Sequence, residues 1–135
     1  MNNISIGVDE VGRGSLAGPV FAVASTLVDT NFNPISSHLI NKLNDSKKLS
    51  PKKRLEIFDR LKKNDVIFGL GAASAREIDL KNVLNASLIA MARAIDHCST
   101  LIDLHGKRNK ATDRRIDKIL VDGIYDPTKF CLIQE

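Results

Sequence analysis

Asp9 and Glu10 stand side by side in Ile4-Ser-Ile-Gly-Val-Asp-Glu-Val-Gly-Arg-Gly-Ser-Leu-Ala-Gly-Pro19. Paired carboxylates suit a hard cation such as Mg²⁺, which takes oxygen ligands and keeps positions open for water and phosphate. Gly12, Gly14 and Gly18 come next, and without a Cβ they let the backbone turn sharply and approach a ligand closely. A third acid, Asp122, precedes Gly123 in Ile119-Leu-Val-Asp-Gly. Acids followed by glycines read as a metal-assisted site facing a phosphate-bearing substrate. An acidic pair before Gly reads equally well as a solvated turn. A dinucleotide-binding turn fits badly, because the third glycine comes one place late and a strand-like run follows where a helix should start. Asp9 and Glu10 would also repel a pyrophosphate unless a metal intervened.

These residues need elements to hold them. Ile4, Ile6 and Val8 alternate with Ser5, Gly7 and Asp9, the period of a half-buried strand. A second strand is expected from Val20 to Val28, then a turn over 29–34; the segment through Leu43 has no clear period, and 44–49 is loop-like. Ser50-Pro51 opens a helix, with Ser as N-cap and Pro where its missing N–H costs nothing. Leu55, Phe58 and Leu61 give that helix an apolar face, and Lys62-Lys63 suit its C-terminal end. A third strand spans Val66 to Ala73. Ser74 caps a short helical turn over Arg76, Glu77 and Ile78. The longest helix runs from Asn82 to His97, with Val83, Leu84, Leu88, Met91, Ala92 and Ile95 at helical spacing; Met91 there is core filler.

His97 reads as a dipole-facing or solvated residue at a helix end. His38 and His105 have no partner at ligand spacing. Residues 106–118 are highly charged without an apolar period; a mobile solvated loop is the better reading, a nucleic-acid clamp the other. Ile119 to Gly123 makes a fourth strand, and Lys129 to Ile133 a last one.

Composition sets the limits. A chain of 135 residues is one domain with room for a real core. Hydrophobic and charged contents of 43% and 27% are those of a soluble globular protein. The net charge of +4 permits a polyanionic partner without demanding one. Cys98 and Cys131 lack metal-type spacing and read as reduced, buried thiols. Without a membrane-length apolar run or a leader-like N-terminus, the expectation is a cytoplasmic monomer with no membrane partner.

The strands ending at Asp9-Glu10 and at Asp122 terminate alike. Were they neighbours in one sheet, three carboxylates would converge on one edge and repel one another unless a divalent cation neutralised them. Two such ions can flank a phosphodiester, one activating a water and the other stabilising the leaving oxygen.

Four blocks now stand in order: Asp9-Glu-Val-Gly-Arg-Gly-Ser-Leu-Ala-Gly-Pro-Val20, Asp45-Ser-Lys-Lys-Leu-Ser50, Ala73-Ser-Ala-Arg-Glu-Ile-Asp79 with Asn82-Val-Leu-Asn-Ala-Ser, and Leu120-Val-Asp-Gly123. In these the chain resembles the type 2 ribonucleases H, closest to the bacterial ribonuclease HII branch. The resemblance implies an α/β, ribonuclease H-like fold, a mixed β-sheet flanked by α-helices. It implies endonucleolytic cleavage of the RNA strand of RNA–DNA hybrids, and cleavage at ribonucleotides embedded in duplex DNA. By it, Asp9, Glu10 and Asp122 match three of four metal-binding carboxylates served by Mn²⁺ or Mg²⁺, two ions together. Gly12, Arg13 and Gly14 match the loop that recognises the ribonucleotide. Lys47 aligns with a phosphate-contacting lysine, and Lys48 could assist it.

The family continues beyond Glu135 with a helix carrying the fourth carboxylate and a tyrosine that holds the ribose. Tyr125 and Asp126 follow Asp122 too soon to be those residues. Ile124-Tyr-Asp also replaces the Asn-Arg that often follows the family's Asp-Gly. The expectation is thus a single catalytic domain over 1–135 without the family's C-terminal helices. The alternative is a truncated, catalytically weak or inactive remnant that binds nucleic acid without cutting it.

Overall fold

The computed structural model describes residues 2–11, 18–26, 50–63, 66–108, 114–121 and 125–131. The chain divides into two compact units, Leu27–Val66 and the rest.

In the larger unit, β1 (Asn2–Val11), β2 (Val20–Thr26), β3 (Phe68–Ala73) and β4 (Arg114–Val121) form one sheet in the order β3-β2-β1-β4. β2 lies antiparallel to both β1 and β3, whereas β4 runs parallel to β1 with Val8 opposite Val121. The sheet is therefore mixed, and β1, β3 and β4 all point their C-terminal ends toward one edge. Between Ile4 and Ser5 the β1–β4 register shifts by one residue, an irregularity that the alternation in β1 alone does not announce.

Alternation decides which side chains meet the core. Ile6 and Val8 of β1, Val20, Ala22 and Ala24 of β2, and Ala73 of β3 are all buried. Against them packs α2 (Ala75–Arg108), through Ala86, Leu88, Ala90, Met91, Ala94, Ile95, Cys98 and Ile102. Small residues bring helix and sheet unusually close. A Cβ at Gly69 would run into the backbone of Ala94 and Cys98, and one at Gly71 into that of Ala90 and Ala94. Leu88, Met91, Ala92 and Ile95 are core residues as their spacing predicts, while Val83 lies partly exposed at the helix start. On the sheet's other face Phe21, Val23, Leu70 and Leu120 are exposed.

Several expectations need correction. The helical turn after Ser74 and the long helix from Asn82 are not among them, since a break at Asn82, φ 67°, ψ 166°, separates the two as expected. The helix does not stop at His97 but reaches Arg108. His97 is instead an acceptor: the Leu70 N–H of edge strand β3 donates to its Nδ1 at 2.9 Å. Much of the stretch expected as a solvated loop over 106–118 is ordered, with its start in α2 and residues from 114 in β4. The pattern was hidden because Arg114, Arg115, Asp117 and Lys118 dominate it, while Ile116 and Ile119, half-buried against the core, are the residues that matter. The expected strand from Lys129 begins instead as a 3-10 turn, Thr128–Phe130. Asp126 starts that turn: its Oδ1 accepts from the Thr128 N–H and hydroxyl, which lower its pKa.

Cys98 and Cys131 are free and buried, as expected. Burial pushes each thiol up to about 11, and their Sγ atoms face the carbonyls of Ile67 and Ala92.

The smaller unit contributes α1 (Pro51–Lys63), whose N-cap is Ser50 as predicted: its Oγ accepts from the Lys53 N–H at 3.3 Å. The buried residue is Ile57, not Leu55, which is 60% exposed. The sequence offers two stripes, Leu55–Phe58 and Ile57–Leu61, and the i, i+4 pair is the one turned inward. Phe58 lies under the Lys62 ammonium at 5.2 Å. The turn expected over 29–34, the segment through Leu43, the loop 44–49 and His38 lie outside the described residues.

Candidate active-site edge

Asp9 and Glu10 sit where β1 approaches its C-terminal end, on a central strand flanked by β2 and β4. Asp9 pairs with Val23 and Glu10 with Ala22. Residues directly opposite in an antiparallel pair share a face. Asp9 thus lies on the open face with Val23 and is itself exposed, whereas half-buried Glu10 lies on the helix-covered face with Ala22. The Glu10 N–H donates to Asp9 Oδ1 at 2.8 Å, which fixes that carboxylate at the strand end. Both side chains are hard oxygen donors, the chemistry a divalent magnesium or manganese ion takes.

β4 ends at Val121, paired with Val8, so the strand preceding Asp122 is β1's parallel neighbour. Asp122 itself lies outside the described residues, as do Gly12, Arg13, Gly14, Lys47 and Lys48. Among the described residues, no three His, Cys, Asp or Glu side chains gather to hold a metal.

The same edge carries the start of α2, because β3 ends there. Ser74 and Glu77 form a capping box: the Glu77 N–H donates to Ser74 Oγ and the Ser74 N–H to Glu77 Oε1, both at 3.1 Å. Arg93, four turns along the helix, reaches back to Glu77 with two bonds of 2.7 and 2.8 Å, and to the Ala72 carbonyl at 2.7 Å. The Arg93 guanidinium, followed by the Ser74 N–H, lowers the Glu77 pKa to about 2. One arginine therefore ties the end of β3 to the first turn of α2.

At Asn82 the helix breaks and restarts. Its Oδ1 accepts from the Asn85 N–H at 2.9 Å, the bond of an N-cap, and Asn tolerates the left-handed conformation better than most side chains. Beside the break is an open cavity of about 690 Å³, lined by Asp79, Leu80, Lys81, Asn82 and Asn85 from the helix and by Lys129 and Phe130 from the 3-10 turn.

The Ser74-x-x-Glu77 spacing and the Asn before an apolar helical period were visible signals for the two caps. The Arg93–Glu77 pair, the His97 acceptor and the Lys81–Lys129 cavity were missed, and no local pattern announces them. No described helix is long and apolar enough to cross a membrane.

Comparison with known proteins gives the edge its context. The ribonuclease HII family model matches residues 6–130. The chain is 39% identical over 127 residues to ribonuclease HII of Wolbachia pipientis wMel, covering 94% of this chain and 54% of that protein. It is 48% identical over 98 residues to ribonuclease HII of Staphylococcus aureus (strain Newman), covering 73% of this chain and 36% of that one. The chain thus spans about half, or less, of the length of these relatives. A ribonuclease HIII crystal structure, Bst-RNase HIII in complex with Mn²⁺, superposes with a TM-score of 0.65 at 18% identity, over 96% of this chain and 39% of that one. That likeness concerns the fold: the mixed sheet with its packed helix is ribonuclease H-like, as the motifs implied. From the family match over nearly all its length, the chain belongs to the ribonuclease HII family.

Proposed function

We propose that this chain carries the catalytic edge of a metal-dependent endonuclease. It would cut the RNA strand of RNA–DNA hybrids and act at ribonucleotides embedded in duplex DNA. What carries the reading is the pair Asp9-Glu10 at the end of a central strand whose parallel neighbour leads into Asp122, in a member of the ribonuclease HII family. Asp122 follows Val121 by one peptide unit, about 3.8 Å between Cα atoms. Asp9 follows Val8 by the same step, and Val8 and Val121 are partners. The reading has both acids extend from these adjacent strand ends toward one shared ion site. Glu10 belongs to the opposite face and would have to reach round the strand end to join them.

Asp9, Glu10 and Asp122 are the proposed holders of Mn²⁺ or Mg²⁺. Bound there, a pair of divalent ions supplies an activated water and charge stabilisation of the leaving oxygen. The chain's own part is to orient these carboxylates and to present the substrate. Gly12, Arg13 and Gly14 bring backbone close to the ribose, whose 2′-OH alone distinguishes RNA from DNA at a given site. Lys47, with Lys48 beside it, neutralises a backbone phosphate. Hydrolysis on the 5′ side of the ribonucleotide would leave a 3′-hydroxyl. Residues 1–135 would act as one catalytic domain, a monomer in the cytoplasm.

The test is a duplex containing one ribonucleotide, incubated with Mn²⁺. A nick 5′ of the ribonucleotide is expected, and Asp9→Asn should lower its rate more than about 100-fold while duplex binding persists. Binding without a nick would favour the non-cleaving remnant, and an Asp9→Asn variant as fast as the parent would remove Asp9 from the site.

A further inference from the structure

We propose that the cavity beside the Asn82 break is a subsite for a backbone phosphate of the nucleic-acid duplex, separate from the carboxylates; this rests on the nucleic-acid reading above. Lys81 and Lys129 come from elements distant in sequence to line one concavity. The helix bearing Lys81 follows β3 and the turn bearing Lys129 follows β4, so each comes after a strand that ends at the edge where Asp9 and Glu10 lie. Among the described lining residues, two lysines face one acid, Asp79, and Asp126 lies within electrostatic reach of Lys129. Lys129 Nζ sits 5.1 Å over the Phe130 ring, both residues lining the cavity. Leu80 and Phe130, both exposed, offer an apolar wall to the sugar next to the phosphate. At about 690 Å³ the space is ample for a phosphodiester and one sugar.

The attraction does not come from the helix end, since the Asn85 N–H is already bonded to Asn82 Oδ1. It comes from the lysines, with the Asn85 side-chain amide as a further donor. Such a contact carries no sequence information. It would position the duplex, and its signature is salt dependence.

The experiment measures binding of a labelled RNA–DNA hybrid duplex by anisotropy in metal-free buffer across a salt series. The double variant Lys81→Ala/Lys129→Ala should bind roughly fivefold more weakly at low salt, with a log–log salt slope reduced by about one. The pair Lys81→Arg/Lys129→Arg should restore both. Scanning a single neutral methylphosphonate along each strand should reveal a position that weakens the parent but not the alanine pair. Equal slopes in parent and alanine pair, no such position, failure of the arginine pair to restore binding, or no duplex binding by the parent would each overturn the subsite. If these differences hold while no Mn²⁺-dependent nick forms, the cavity stands and the cleavage reading falls; nicking without the differences does the reverse.

Discussion

The two faces of the sheet obey opposite rules. Beneath α2 the packing is tight: Gly69 and Gly71 of β3 meet the helix at backbone distance, and Ala22 and Ala24 of β2 are fully buried beside them. On the other face, Phe21, Val23, Leu70 and Leu120 are exposed, and Asp9 shares that side with them. The covered face sets the spacing of β1, β2 and β3. The open side and the edge where three strands end are then free to carry groups whose value is chemical. Buried volume holds the scaffold, and function concentrates where packing relents.

Substitutions that exchange the rules of the two faces measure the contrast. Gly71→Ala should cost about 3 kcal/mol in chemical denaturation, since its methyl would overlap the backbone of Ala90 and Ala94 and the layers must part. His97→Ala should cost about 1 kcal/mol, because the Leu70 N–H on the edge strand loses its acceptor. Native-state hydrogen exchange at Leu70 should quicken in that variant more than at its neighbours. Glu77→Gln should cost about 0.5 kcal/mol at pH 7, being a partly exposed ion pair joined to a cap. The folded pKa of Glu77 lies below its ordinary 4.5, at about 2, so its stabilising share is full above pH 4.5 and is lost as pH falls toward 2. Parent and variant stabilities should converge across that window. Leu70→Thr on the open face should change stability by less than about 0.5 kcal/mol, matching its 63% exposure.

What could be read before the structure follows the same division. Period-2 alternation revealed β1 and the acids at its tip, because one buried face imposes a strict apolar rhythm. The caps at Ser50 and Ser74 were legible because each depends on a bond spanning three residues, as does the Asn82 cap where the long helix was expected to begin. Strand β4 was half hidden, since its exposed side is so charged that Ile116 and Ile119 scarcely stand out. The extension of α2 past His97 was hidden too, because Thr100, Asp103 and Leu104 dilute the helical period. The Arg93 link to Glu77 and Ala72, and the meeting of Lys81 with Lys129, are tertiary facts between residues far apart in sequence. Of the candidate site, the motifs named the acids, and strand order supplied what they lacked, namely that β4 is the parallel neighbour of β1.

The most direct measurement is Mn²⁺ binding by isothermal titration to the parent, Asp9→Asn, Asp122→Asn and the double variant. If both acids serve one shared site, each single change should cost at least tenfold in affinity, and the double variant should be far less impaired than the product of the two losses. Losses that multiply independently, or an Asp122→Asn variant that binds Mn²⁺ as the parent does, would show that these two strand ends do not build one metal site.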